Sequence, residues 1–205
     1  MRGNILIISG PSGSGKSSLM QKVLLEIEDV YFSISTTTRS IREGEIDGVN
    51  YHFTSKEEFE ADIDNGLFLE WAKVHENYYG TSLKPILKAL HAGKIVVCDI
   101  DVQGHKIARE KFGNIITSVF LTTQNQEILR QRLTMRGTDS LETIDKRISN
   151  AVSEMTRIRE YDYLIINDNF EQTLTELLSI AQSSRHKVSA IDTENFIASW
   201  ASEEV

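Results

Sequence analysis

The sequence has a single cysteine, Cys98, so no intrachain disulfide can form. Cys98 ends the apolar run Ile95-Val96-Val97-Cys98 and reads as a small core residue. A lone thiol fits a reducing cytosol. No run of about 18 apolar residues occurs, so no membrane-spanning helix is expected. The apolar stretch from Ile5 to Ile8 is too short for a signal peptide, and a cytoplasmic protein is expected. Positive charge is in deficit: 22 Lys and Arg against 30 Asp and Glu leave a formal net charge of −8. That balance argues against sequence-independent binding to nucleic acid. Internal repeats and low-complexity stretches are missing too. What is present fits one main core with small appended lobes: 205 residues, 40% hydrophobic and 25% charged.

Asn4 to Ser9 is a short apolar run, the pattern of a buried parallel strand. After Lys16 the residues Leu19, Met20, Val23, Leu24 and Ile27 recur with helical spacing. The texture changes from Ser33 to Ser82. Ser33 to Thr38 reads as a strand by its β-branched content. Asp47-Gly48 reads as a turn, and Val49 to Phe53 as a second strand. Ser55 with Glu58 forms a capping-box pattern for a helix ending near Gly66. Leu67 to Val74 alternates like a strand, and Asn77 to Thr81 looks like a loop. This stretch is expected to be an inserted, mostly β lobe.

Beyond it the spacing predicts a helix over Leu83 to Leu90 with Gly93 as its stop, a buried strand from Ile95 to Asp101, and another from Ile115 to Leu121. Asn125 to Arg136 and Ser140 to Arg159 read as two helices joined at Arg136-Gly137-Thr138. Tyr163 to Ile166 predicts a strand and Phe170 to Ala181 a final helix. Strands alternating with helices predict an α/β protein with a parallel sheet. Residues 188–205 are expected to form a peripheral helix or a loose tail.

The chemistry starts at Gly10-Pro11-Ser12-Gly13-Ser14-Gly15-Lys16-Ser17, a G-x-x-x-x-G-K-S loop between a strand and a helix. Glycines let successive backbone N–H groups turn toward one anion, and the following helix adds its positive dipole end. Lys16 is expected at the β and γ phosphates of a nucleoside triphosphate and Ser17 on Mg²⁺. Asp99 and Asp101 lie at the carboxyl end of a predicted strand, where ligands bind in parallel sheets. Such acids hold Mg²⁺ directly or through water, although either residue is also a good helix cap. Six of the eleven arginines fall between Arg130 and Arg159. Arg132 and Arg136, four apart, share a helix face, and with Arg147 they suit a transferring phosphoryl group. The alternative is a solvated face of surface ion pairs, to which Arg130, Arg157 and Arg159 are assigned.

In the inserted lobe, Arg39, Arg42, Tyr51 and Tyr79 are equipped to grip a second phosphate. Glu70 alternates with Phe68 and Ala72 and is expected on their face. A carboxylate there can accept the N1–H and amino group of guanine side by side, with Ser35 or Thr81 donating to O6. An edge-strand glutamate facing solvent is the other reading.

Taken together, these residues resemble the guanylate kinase family. The resemblance rests on Ile8-Ser9-Gly10 through Ser17, on Ser35-Thr36-Thr37-Thr38-Arg39 with Arg42, Gly44 and Glu45, on Glu70-Trp71-Ala72 and on Asn77-Tyr78-Tyr79-Gly80-Thr81. Asp99-Ile100-Asp101-Val102-Gln103-Gly104 and Arg132-Leu133 with Arg136-Gly137-Thr138 complete it. It spans Gly3 to Ala181. It implies a P-loop NTPase-type three-layer core (1–34, 83–124 and 151–187), a GMP-binding lobe over 35–82, and a helical lid over 125–150. Residues 188–205 lie outside as an extension of unknown role. The resemblance also implies transfer of the γ-phosphoryl group of Mg-ATP to GMP and dGMP. By position, Gly10 to Ser17, Ser18 and Asn167 are implied to bind ATP, with Asn167 near the adenine. Ser35, Glu70, Thr81 and Asp99 are implied to read guanine. Arg39, Arg42, Tyr51 and Tyr79 are implied to hold the GMP phosphate, supported by Glu45. Lys16, Arg39, Arg132, Arg136 and Arg147 become the catalytic set, and Ser17 with Asp101 the Mg²⁺ residues. Ile41 stands where the family usually has proline, Ser18 where it has threonine, and Thr81 where serine is common. A catalytically silent relative that binds phosphorylated partners, and a kinase for another nucleotide, are the rival readings. Monomer or homodimer stays open.

Overall fold

The computed structural model describes residues 3–74, 76–137 and 139–202. Thr138, the end of the Arg136-Gly137-Thr138 motif, lies outside the described residues. Five strands form a parallel sheet: β1 (Asn4–Ser9), β2 (Val30–Ser33), β7 (Ile95–Asp99), β8 (Ile116–Thr122) and β9 (Tyr163–Ile166), in the order β2-β7-β1-β8-β9. Every residue of β1 and β8 is buried, as a strand covered on both faces requires. Alternate residues serve opposite layers. Leu6, Ile8, Val97 and Leu121 pack against α1 (Lys16–Glu26) and α7 (Phe170–Ser184). Ile5, Ile7, Val96 and Cys98 pack against α3 (Leu83–His91) and α4 (Val102–Phe112). Burial pushes the Cys98 thiol up to about 12, so it behaves as a small core side chain.

A second sheet, ordered β4-β3-β6-β5, contains β3 (Thr36–Thr37), β4 (His52–Phe53), β5 (Phe68–Val74) and β6 (Asn77–Ser82). The helix α2 (Lys56–Asp64) lies against it, opened by the capping box of Ser55 and Glu58. Its small core is aromatic. Phe59, fully buried, stacks on Phe68 at 4.1 Å and on Tyr78 at 5.2 Å, and Trp71 meets Tyr78 edge-on.

Several local expectations are corrected here. Ser33 to Thr38 is not one strand: Val30–Ser33 pairs with β7 in the core, while Thr36–Thr37 pairs with Gly80 and Tyr79 in the second sheet. The chain crosses between sheets at Ile34-Ser35, which β-propensity cannot register. Asn77 to Thr81 is not a loop but the body of β6, a central strand of the second sheet. Tyr78 stacking and pairing on both sides outweigh the turn-forming character of Asn77 and Gly80. Of Val49 to Phe53 only His52–Phe53 is strand; Val49 stands exposed in a turn.

α5 (Gln126–Met135) and α6 (Leu141–Met155) form a helical pair with their own cluster of Leu129, Leu133, Ile144, Ile148 and Ala151. The C-terminal segment ends in a peripheral helix, α8 (Thr193–Ala201), after a 3-10 turn at Val188–Ala190. Among the described residues no helix is long and apolar enough to cross a membrane.

Because Phe59 joins both stacked partners of the second sheet, Phe59→Ala is expected to cost about 3–5 kcal/mol in urea unfolding. A loss below about 1 kcal/mol would show that the aromatic stack does not hold this sheet.

Candidate active site

The loop from Gly10 to Ser17 joins β1 to α1 at the carboxyl end of the sheet, where the strand order reverses around β1. Gly10 has φ +137°, and a Cβ there would lie 2.0 Å from the Leu121 carbonyl oxygen of β8. Gly15 has φ +98°, and a Cβ there would strike the Asn167 amide at 2.3 Å. The loop is thus wedged between β8 and the segment after β9. The Ser14 carbonyl accepts from Asn167 Nδ2 at 2.8 Å, with Arg132 Nη1 at 3.5 Å.

α1 differs from every other α-helix in this structure. Side chains cap the N-termini of α2 to α8, from Ser55, Ser82, Asp101, Asn125, Ser140, Asn169 and Asp192. Gly15 caps α1 with no side-chain hydrogen bond, and no acid stands in its first turn. Its first N–H groups therefore point at the cleft as unspent donors, next to the positive end of the helix dipole. Lys16 Nζ arches over the same loop, donating to the carbonyls of Gly10 at 2.5 Å and Pro11 at 3.2 Å. Burial holds this ammonium below the usual lysine value, against the pull of Asp99 and Glu154. Ser17 and Ser18 are exposed. An open cleft of about 420 Å³ is bounded by these loop residues, Asp99, Arg132 and Arg136.

The two aspartates do not share a strand. β7 ends at Asp99, and Asp101 is the N-cap of α4, with Oδ1 accepting from the N–H groups of Gln103 at 2.9 Å and Gly104 at 2.8 Å. The expected strand to Asp101 is corrected: Ile100 turns inward into the core, and Asp101 takes the alternative role of capping the helix that follows. Asp99 opens into the cleft, yet protein packed around it raises its pKa, with Lys16 opposing. The second oxygen of Asp101 is not used in the cap, and its side chain is exposed.

Of the arginines, Arg147 donates to Ser12 Oγ of the loop and pairs with Asp139 at 3.1 Å. Arg132 Nη2 donates to the Asn167 carbonyl at 2.8 Å. Arg136 stands exposed on the rim of the cleft. A Cβ on Gly13 would lie 3.1 Å from Leu133 and 3.3 Å from Leu129 of α5, so the helical pair sits close against the loop. Arg130 and Arg157 are spent in surface ion pairs with Asp145 and Glu160. Asn167 has a buried side chain bound to the loop backbone, and that amide is committed to bracing the loop. Glu154, which sequence reasoning does not single out, follows Arg147 by seven residues on the same helix face. Burial raises its pKa, while the Lys16 charge lowers it. That heptad spacing from a loop-contacting arginine was the signal available.

In the second sheet, Arg39 Nη2 donates to both Glu45 oxygens, at 2.7 and 3.0 Å. Glu45 also accepts the Arg42 N–H at 2.8 Å. These hydrogen bonds, Arg39 first, hold the Glu45 carboxyl below its usual value. Arg39 lies over the Tyr51 ring at 5.5 Å, and Tyr51 meets Tyr79 edge-on at 6.1 Å. Arg39, Tyr51 and Tyr79 are thus brought together, with Glu45 as their brace. The Arg42 side chain is exposed, and Ser35 is half-buried at the entry to the lobe.

Glu70 pairs with Thr81 across the sheet, and Thr81 Oγ1 donates to Glu70 Oε1 at 3.2 Å. Burial first, then Asp101, raise the Glu70 pKa. Its expected face is corrected in part. The register shifts between Phe68 and Glu70, so Phe68 turns to the aromatic layer while Glu70 stays with Ala72, Thr81 and Tyr79. A one-residue bulge breaks the period-two rule. The segment Asp99 to Asp101 joins the two halves: Lys16 feels Asp99, and Glu70 feels Asp101.

Comparison with known proteins agrees with this geometry. The guanylate kinase family model matches residues 2–184. A guanylate kinase of Wolinella succinogenes is 51% identical over 99% of this chain and 94% of its own length. One of Campylobacter jejuni strain RM1221 is 57% identical over 88% of each chain. The crystal structure of guanylate kinase from Anaplasma phagocytophilum superposes with a TM-score of 0.68 at 30% identity, covering 92% of this chain and 89% of that one. The chain belongs to the guanylate kinase family.

Proposed function

We propose that this protein transfers the γ-phosphoryl group of Mg-ATP to GMP, and to dGMP, yielding ADP and the guanosine diphosphate. The observation that carries the reading is the uncapped N-terminus of α1 beside Lys16, joined through Asp99 to Asp101 with a half-buried carboxylate at Glu70. The first suits a triphosphate. The second suits a base that presents two adjacent donors. Residues 35–82 then serve as the acceptor lobe and 125–150 as the lid.

The reaction is an in-line displacement. A GMP phosphate oxygen forms the new bond to the γ-phosphorus as its bond to the ADP oxygen breaks, and ADP leaves with that electron pair. The attacking oxygen is already anionic, so no general base is needed. The chain's work is positioning and charge stabilisation. The α1 N–H groups and Lys16 hold the donor phosphates. Arg39, Tyr51 and Tyr79 hold the acceptor phosphate, with Arg42 closing from the rim. Arg132, Arg136 and Arg147 meet the charge on the transferring group when α5 and α6 settle over the cleft. That closure also excludes water, which would otherwise hydrolyse ATP. The exposed Ser17 hydroxyl and the uncommitted Asp101 oxygen fit Mg²⁺ as hard oxygen ligands, and the ion would supply positive charge to offset the negative charge of the phosphates. The intact loop, Lys16 and the arginines favour this enzyme over a silent phosphopeptide-binding module. The same chemistry needs a supply of ATP, which fits a cytoplasmic protein.

A coupled assay with ATP and each of GMP, AMP, CMP and UMP is expected to show turnover with GMP alone. No turnover with any acceptor would remove the kinase reading, and faster turnover with AMP would remove the guanine pocket. Glu70→Gln is expected to raise KM for GMP about 10- to 100-fold, the scale of a charged hydrogen bond, and to leave KM for ATP unchanged. Equal weakening of both would make Glu70 structural. Guanine binding needs Glu70 ionised, and its pKa is raised. KM for GMP should therefore be low above that pKa and climb as pH falls through it, at higher pH than for an ordinary glutamate. Glu70→Gln should flatten this climb.

A further inference from the structure

The first turn of α4 contains a glycine, Gly104, that the backbone does not require. Its φ is not positive, its N–H is committed to the Asp101 cap at 2.8 Å, and alanine is the better helix former at such a position. What distinguishes the position is its neighbour. A Cβ built on Gly104 would lie 3.1 Å from Glu70 Oε2 and 3.5 Å from Glu70 Cδ, with Ile100 Cβ also at 3.1 Å. The opposite carboxylate oxygen, Oε1, takes the Thr81 hydroxyl at 3.2 Å. The Glu70 carboxylate thus rests between a hydroxyl on one side and the missing side chain of Gly104 on the other. Ile100 is locked in the core beside α4, so of the two close neighbours the carboxylate, at the end of a flexible side chain, is the one that gives.

We propose that Gly104 is a positioning residue for base selection: its missing side chain sets where the Glu70 carboxylate stands and so how well guanine is told from other purines. The proposal rests on the reading of Glu70 as the guanine acceptor. Sites of this kind tolerate displacements of only about 0.5 Å, and a misplacement of about 1 Å costs roughly 100-fold. A shift of a few tenths of an ångström is enough for a measurable loss.

The test compares Gly104→Ala, Glu70→Gln, Glu70→Asp and the double variant Glu70→Asp/Gly104→Ala. GMP and inosine monophosphate, which lacks the 2-amino group, serve as acceptors. Gly104→Ala is expected to raise KM for GMP about tenfold, to lower the preference for GMP over inosine monophosphate toward that of Glu70→Gln, and to leave KM for ATP within about twofold. Its Tm should change little, since the helix preference of alanine offsets the tight approach to Ile100. The shorter aspartate makes room for the methyl group, so the double variant should keep more GMP preference than the product of the two single losses. Wild-type GMP preference in Gly104→Ala would overturn the proposal. So would an equal loss for ATP and GMP with a lowered Tm that Glu70→Asp does not relieve. If Gly104→Ala does not fold, restored folding in the double variant supports the contact with Glu70, and persistent misfolding assigns the glycine to Ile100 and overturns it. Unchanged selectivity in Glu70→Gln would instead remove the guanine-acceptor reading itself. Loss in Glu70→Gln with none in Gly104→Ala removes only this proposal.

Discussion

The grip on the Ser14 carbonyl is the constraint on which the site depends. Asn167 and Arg132 approach it from the segment after β9 and from α5, and Gly10 packs its backbone against β8 from below. With the loop held this way, the Ser14 N–H closes a turn on the Pro11 carbonyl at 3.1 Å, and α1 begins without a side-chain cap. Seven other helices show that the chain caps its helices freely with Ser, Asn and Asp. Leaving α1 open forfeits stability in the empty protein that a bound anion restores.

The acids around the cleft follow the same economy. Burial raises the pKa values of Glu70, Asp99 and Glu154, so their ionised forms are disfavoured in the folded state. Each therefore weakens the fold at pH above its raised value, and that cost fades as pH falls through it. Lys16 offsets part of this for Asp99 and Glu154, and it is itself held below the usual lysine value. A cleft that gathers these acids around one lysine carries that cost in the folded protein. The short segment Asp99-Ile100-Asp101 makes that cost common to both halves of the site, because the charge of Asp99 acts on Lys16 on one side and that of Asp101 on Glu70 on the other.

Much of the frame was readable from local pattern. The all-buried β1, the helical spacing after Lys16 and the capping box at Ser55 rest on neighbours in sequence, and these are the elements found. Readings failed where a distant partner decided. Asn77 to Thr81 has the composition of a loop, but pairing on both sides and the Phe59 ring make it a strand. Ser33 to Thr38 has the composition of one strand, but its two ends join different sheets. The extent of helix α4 was not legible because its first turn, Val102-Gln103-Gly104-His105, carries no clear apolar stripe. The Asp101 cap shows its start only once β7 is known to stop at Asp99.

By itself the sequence determined the chemistry of the phosphate loop. A glycine-rich turn between a buried strand and a helix has few other uses, and all of its parts are contiguous. It also determined which residue types were available for a second anion and a base. Only the tertiary structure decided which way those residues face. A bulge sends Glu70 away from Phe68 and toward Thr81 and Gly104, while a buried amide commits Asn167 to the loop backbone. Side-chain direction across a bulge depends on pairing partners far along the chain, and spacing within a strand contains no information about them.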